Sequence, residues 1–183
     1  MKTLTIIGAA TTLAILAFAA TAKIATYHTA PVFLIPLTWL PVFLRRKLNL
    51  HPVDYALFCL AILAHMSGAR GYYQKSPLPF SFDIAVHFYF ALAATFLLHR
   101  AIAFHFPLKR WQINVTVFLF MMGLAAMHEI YEYGSYLVLG EETGMLKPHT
   151  SYVFDTARDL TNNFLGTLLA LIVISVARLI RDR

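Results

Sequence analysis

Asp83 and His87 stand four residues apart, as do His128 and Glu132, and as do Asp155 and Asp159; on a helix each pair would share one face. Glu129 lies one turn from Glu132, and Asn163 extends the Asp155–Asp159 stripe at the same spacing, with Arg158 and Asn162 beside it. His65 precedes these groups on a separate apolar stretch. Carboxylates mixed with imidazoles suit a divalent Zn, Mn or Fe ion rather than a soft metal, and the same groups serve as general acids and bases. Asp83, His87, His128, Glu129, Glu132 and Asp159 are the candidate metal ligands. Glu129, Glu132, His87 and Asp159 are the candidate catalytic groups. His65, Asp155, Arg158 and Asn163 would support them.

The elements that must position these residues are apolar runs. With 59% hydrophobic and 13% charged residues, the 183-residue chain is too apolar for an ordinary soluble domain. Its mean hydropathy of +0.65 points the same way. The spacing predicts an all-α, polytopic membrane helix bundle: one integral-membrane domain over 1–183 with about six transmembrane helices, each run near the length that crosses a hydrocarbon core. The spans are Leu4–Ala22, Thr29–Leu44, Val53–Ala69, Asp83–His99, Ile113–Tyr133 and Asp155–Ala177. Lys2 and the Ala20-Thr21-Ala22 ending also have the form of a signal peptide, but the run is read as a first span. The second span carries Pro31, Pro36 and Pro41 and could be re-entrant.

Ten of the fifteen Lys and Arg residues fall on one side of this arrangement and four, Lys23, Arg70, Lys75 and Lys147, on the other. The positive-inside rule then gives an N-in/C-in multi-pass protein of a cell inner membrane. Trp39 and Trp111 sit near the inner interface; Tyr72, Tyr73, Tyr133, Tyr136 and Tyr152 sit near the outer one. The net charge of +6 is therefore a topology signal rather than the mark of a nucleic-acid partner. Cys59 is the one cysteine and reads as a small buried hydrophobe, which leaves no internal disulfide or thiolate site.

In this register four helices of alternating direction bring their polar residues to one depth, at the outer end. Ionisable residues inside spans cost roughly 2.5–3.5 kcal/mol each on insertion scales, so such convergence marks a site or a buried ion pair. Asp83, Glu129, Glu132, Asp155 and Asp159 are opposed by Arg158 and, within reach, Arg70. Crowded carboxylates cannot all stay ionised, so protons, a cation or a cationic ligand must compensate. Simpler roles stand beside this reading. Asp155 and Asp83 could serve helix N-termini, His65 could be a hydrogen-bonded interior histidine, and Arg158 could pair with Glu132 or Asp159. His99 and His105 fall in a basic inner loop, suited to headgroups.

Asp83-Ile84-Ala85-Val86-His87-Phe88, then Glu129-Ile130-Tyr131-Glu132, then Asp155-Thr156-Ala157-Arg158-Asp159 with Asn163 and Gly166, resemble the YjdF-like family of bacterial inner-membrane proteins and, more distantly, the VanZ-like family. The resemblance covers roughly Asp54 to Ala177, and the Asp-Thr-x-x-Asp stretch is its most specific part. It implies a small polytopic bundle and a bacterial origin. It carries Asp83, His87, Glu129, Glu132, Asp155, Asp159 and Asn163 over as motif positions and supplies no reaction; His65 and His128 are not matched to it.

Three functions fit these residues. One is a metal-dependent membrane hydrolase or transferase acting on a lipid or lipid-linked substrate at the outer leaflet, with Glu129 or Glu132 as base and a metal or His87 as electrophile or acid. Another is a non-catalytic accessory or assembly subunit whose acids meet a partner membrane protein. The third, a proton- or cation-coupled transporter, needs a polar path that the nearly uncharged inner halves of the spans lack. The topology sets a first test: reporter fusions at Arg183 and in the Arg100–Arg110 loop are expected to be cytoplasmic, and one at Gly144 is not. A periplasmic C-terminus would overturn both the topology and the outer placement of the polar residues.

Overall fold

The computed structural model describes residues 2–143 and 152–182, and all the regular structure among them is helical. The helices are α1 (Lys2–Ala20), α2 (Pro31–Phe43), α3 (Pro52–Ser67), α4 (Phe82–His105), α5 (Arg110–Thr143) and α6 (Tyr152–Arg181), with 3₁₀ turns at Ala25–His28 and Gly68–Arg70. Five stretches are long and apolar enough to cross a bilayer: Lys2–Ala20, Pro52–Arg70, Phe82–His105, Arg110–Val138 and Phe154–Arg181. The chain is a polytopic helical membrane bundle.

α2, with its 13 residues, rises only about 20 Å, short of a hydrocarbon core of about 30 Å. It starts on Pro31, where the missing N–H costs nothing, and holds Pro36 and Pro41 inside. Its first turns pack with Ile15 and Ala19 near the end of α1, and its last residue but one, Val42, packs with Leu4 at the start of α1. It therefore runs antiparallel to α1. Trp39 Nε1 donates to Thr12 Oγ1 at 3.0 Å, and Tyr55 Oη donates to the Thr38 carbonyl at 2.9 Å, so buried polar atoms tie α2 to both neighbours.

Two helices run beyond the spans read from hydropathy. The helix that carries the Ile113–Tyr133 span continues to Thr143, and no proline lies between Pro107 and Pro148 to break it. Glu141 and Glu142 thus lie on α5, whereas Gly144, Lys147 and His149 lie outside the described residues. α4 likewise runs past His99 to His105 and ends at Phe106, whose extended backbone (φ −118°, ψ 127°) is the conformation a following proline imposes. His99 is accordingly a buried helix residue bonded to Asn114 (3.2 Å), and His105 meets the Lys47 carbonyl.

α6 packs most closely on α4. Its buried positions Asp155, Asp159, Asn162, Asn163, Gly166, Thr167 and Ala170 form a stripe of small and polar side chains, which Leu171 closes with an apolar one. A Cβ added to Gly166 would sit 2.1 Å from the Phe88 carbonyl oxygen, a backbone atom that cannot swing aside. In lipid, where apolar side chains gain little by leaving their solvent, such close backbone contact is a main source of helix association. Gly166→Ala is therefore expected to lower stability by about 1–3 kcal/mol through overpacking, read as a fall in the apparent Tm in detergent. Gly123→Ala, where an added Cβ meets nothing within 4 Å, is the control and should cause no loss. Equal behaviour of the two variants would remove Gly166 as the packing determinant.

Candidate functional site

The first two turns of α4 and α6 meet at the end of the bundle that carries Asp83, Glu132 and Asp155, the acidic end; the opposite end carries Lys2, Arg100, Arg110 and Arg178. Four-residue spacing puts Asp83 and His87 on the α4 face that looks at α6, and Asp155, Asp159 and Asn163 on the α6 face that looks back. The Gly166 contact, two turns along α6 from Asp159, holds these faces together.

Arg158 is the hub. Its Nη2 bonds to Asp83 Oδ2 at 2.6 Å and also to Asp155, and its Nε bonds to Asp159 Oδ1 at 3.3 Å. Asp159 is only 1% exposed, and Asp155 and His87 are buried with it. A planar guanidinium with five donors can serve three carboxylates at once, which a lysine could not do in fixed geometry. The ion pair anticipated with Asp159 is present, but Glu132 is not part of it. Among the described residues Arg70 joins no carboxylate, and it lies over the Phe18 ring, 5.4 Å from its centre. Asp155 and Asp83 sit in the first turns of their helices, where the helix dipole favours them, yet both also engage Arg158.

His87 lies against the same carboxylates. Its Nε2 is 3.5 Å from Asp83 Oδ1 and 3.7 Å from Asp159 Oδ2, and its Nδ1 is 3.2 Å from Asn163 Nδ2. With the amide in this orientation Nδ1 accepts and Nε2 carries the proton toward the acids. Rotating the amide would reverse both and present a lone pair. One ligand atom from each of Asp83, His87 and Asp159 lies within 4.8 Å of the others, the arrangement of residues able to hold a metal ion.

The α5 residues stand beside this group rather than in it. His128 Nε2 is 3.2 Å from Glu132 Oε1, and the His128 ring lies 5.6 Å from that of His87. Glu129 is buried and faces Thr156 of α6, but its Oε1 has no hydrogen-bond partner among the described residues. His65 turns to the loop after α3: its Nδ1 meets Tyr73 Oη at 2.9 Å, and Tyr27 packs on its ring. Burial first, and then the nearby Asp83, raise the Tyr27 hydroxyl above its ordinary range. Burial first, then Tyr27 and Asp83, do the same to Tyr73, so both phenols stay protonated. The sequence marks Tyr73 only as an interfacial anchor, Thr156 only as part of a motif, and Tyr27 not at all. Nothing in local periodicity signals a loop tyrosine folded back on a helix.

A cavity of about 220 Å³ opens at this end, lined by Tyr73, Gln74, Ser76, Ser81, Phe82 and Arg158. It gives Arg158, and through it the aspartates, an approach from outside the bundle.

The architecture and this polar group define a polytopic helical membrane protein with a buried carboxylate, imidazole and guanidinium cluster at one end. The chain belongs to the family described as Predicted membrane protein (DUF2238), whose profile matches residues 1–179. Neither the curated proteins nor the solved structures contain a match to it.

The Arg158 hub sets the third test. Arg158→Gln leaves three aspartates uncompensated, and the loss should approach, but with a partly exposed arginine stay below, the ~3–5 kcal/mol typical of breaking a buried pair. Adding Asp155→Asn removes one repelling carboxylate and should recover part of the lost Tm. Strictly additive destabilisation in the double variant would show that the two side chains are not coupled.

Proposed function

We propose that this protein is a membrane-embedded, divalent-cation-dependent enzyme acting on a lipid or lipid-linked substrate at the acidic end, which the basic-residue bias assigns to the outer leaflet. The observation that carries this reading is the Asp83, His87 and Asp159 set. Ligands placed tetrahedrally about 2.0–2.2 Å from an ion lie about 3.3–3.6 Å apart. The His87 Nε2 distances to Asp83 and Asp159, 3.5 and 3.7 Å, fall close to that separation.

Charge favours the same ligand. Asp83, Asp155 and Asp159 against Arg158 leave two negative charges, which one divalent ion would neutralise. The ion, Zn, Mn or Fe by the donor types, would polarise a substrate oxygen or activate water. Arg158, at the cavity, would receive an anionic group of the substrate, and the uncommitted oxygen of Glu129 suits it to accept a proton. Glu132, held by His128, is the second candidate base. Asn163 would fix the His87 ring.

A second reading has its own observation: Arg158 already bonds all three aspartates, as a structural clamp in an accessory or assembly subunit would. Metal analysis separates the two. Protein extracted from metal-replete membranes should carry about one divalent ion per chain by mass spectrometry, and Asp159→Asn and His87→Ala should each lose most of it. A wild-type protein free of metal would sink the enzyme reading and leave the clamp.

A further inference from the structure

The opposite end of the bundle holds a second polar recess. Between the start of α5 and the last turns of α6 lies a cavity of about 150 Å³ lined by Arg110, Asn114, Ser175, Arg178 and Leu179. Its polar floor is already organised. Asn114 Oδ1 faces His99 Nε2 at 3.2 Å, its Nδ2 points to Ser175 Oγ at 3.4 Å, and Ser175 Oγ donates to the Leu171 carbonyl at 2.8 Å.

The guanidinium groups are less satisfied. Arg110 bonds to Asp182 at 2.7 Å, and Arg181 lies 3.7 Å from the same carboxylate. The half-buried Arg178 forms no ion pair among the described residues. Arg110 and Arg181 thus share one aspartate, with Arg178 beside them, next to the positively polarised N-terminus of α5. Like charges held together in a recess call for an anion as strongly as the carboxylates at the other end call for a cation.

The surroundings specify what kind of anion. Leu179 lines the recess, and Trp111 and Ile180 stand next in sequence to its lining residues Arg110 and Leu179; each of the three is at least 60% exposed and presents apolar surface at the level where both helices leave the span. Tryptophan at that level is typical of the headgroup region, and basic pockets between helices bind anionic headgroups. A soluble anion would use the arginines and leave the apolar rim unused. A phospholipid uses both, with its phosphate on the guanidinium groups and its chains along the rim.

We propose that the cleft formed by Arg110, Asn114, Ser175, Arg178 and Leu179 binds the phosphate of an anionic phospholipid from the leaflet at the basic end. Arg178 is the main contact, because it forms no direct ion pair among the described residues, and Arg110 is the second, released in part from Asp182. This site is independent of the cluster at the acidic end and of the enzyme reading.

The test uses the full chain in a neutral detergent. Phosphatidylglycerol and phosphatidylcholine are added at equal mole fraction, and inorganic phosphate is added separately. Apparent Tm and lipid retention by native mass spectrometry are recorded. Phosphatidylglycerol should raise Tm and be retained at least tenfold over phosphatidylcholine. Arg178→Gln should abolish that preference, Arg110→Gln should weaken it, and Arg181→Gln, altered outside the recess, should keep it. If Arg178→Gln does not fold, the Arg110 and Arg181 pair and the wild-type lipid comparison still decide. Equal retention of the two lipids, an unchanged preference in both Arg110→Gln and Arg178→Gln, or inorganic phosphate reproducing the full Tm rise would each overturn the proposal.

Discussion

The contact between Gly166 and the Phe88 carbonyl is the constraint on which the acidic cluster depends. Two helices whose backbones touch there cannot diverge far over the two turns that separate Gly166 from Asp159. The facing polar residues are thereby held within bonding distance. Without that approach Asp83 and His87 would face lipid or water, and Arg158 would reach only the aspartates of its own helix. The small residues that follow on α6, Thr167 and Ala170, are fully buried and continue the close seam away from the site. Packing and chemistry therefore share one face of α6: polar near the end, small beyond it.

Arg158 is what makes the polar half of that face tolerable in a membrane. A buried aspartate is expensive unless it is paired, and here one guanidinium pairs with three. The arrangement remains acidic, with Glu129 keeping an oxygen without a partner a short distance away. A buried polar atom of that kind is rare in a structure selected only for stability. It distinguishes the acidic end from the Asp54 and Arg100 pair on α3 and α4, where one acid meets one base and nothing is left over.

The two ends of the bundle are complementary in sign and similar in construction. At each, α6 meets a neighbouring helix, α4 at the acidic end and α5 at the basic end, and amide side chains order the recess: Asn163 toward His87 and Asn114 toward His99. At each, one charge type exceeds its partners. Between them lies an apolar cluster that includes Ala91, Val117, Met121 and Leu171.

Hydropathy and spacing by themselves determined that the chain is a helical membrane bundle, and that Asp83 shares a face with His87 and Asp155 with Asp159. Those properties are local: the length of an apolar run and the 3.6-residue period are written in consecutive residues. Only the tertiary structure decided the partners. That Arg158 takes Asp83, Asp155 and Asp159 while Glu132 goes to His128, that His65 turns to Tyr73, that Arg70 lies on Phe18, and that Glu129 keeps an oxygen unpaired all depend on how each helix is rotated and which helix it touches. In lipid the hydrophobic effect does not choose between those arrangements, because a leucine is as content against an acyl chain as against another leucine. The choice rests on shape at positions such as Gly166 and on which side chains across a seam can satisfy one another, and neither is visible along a single helix.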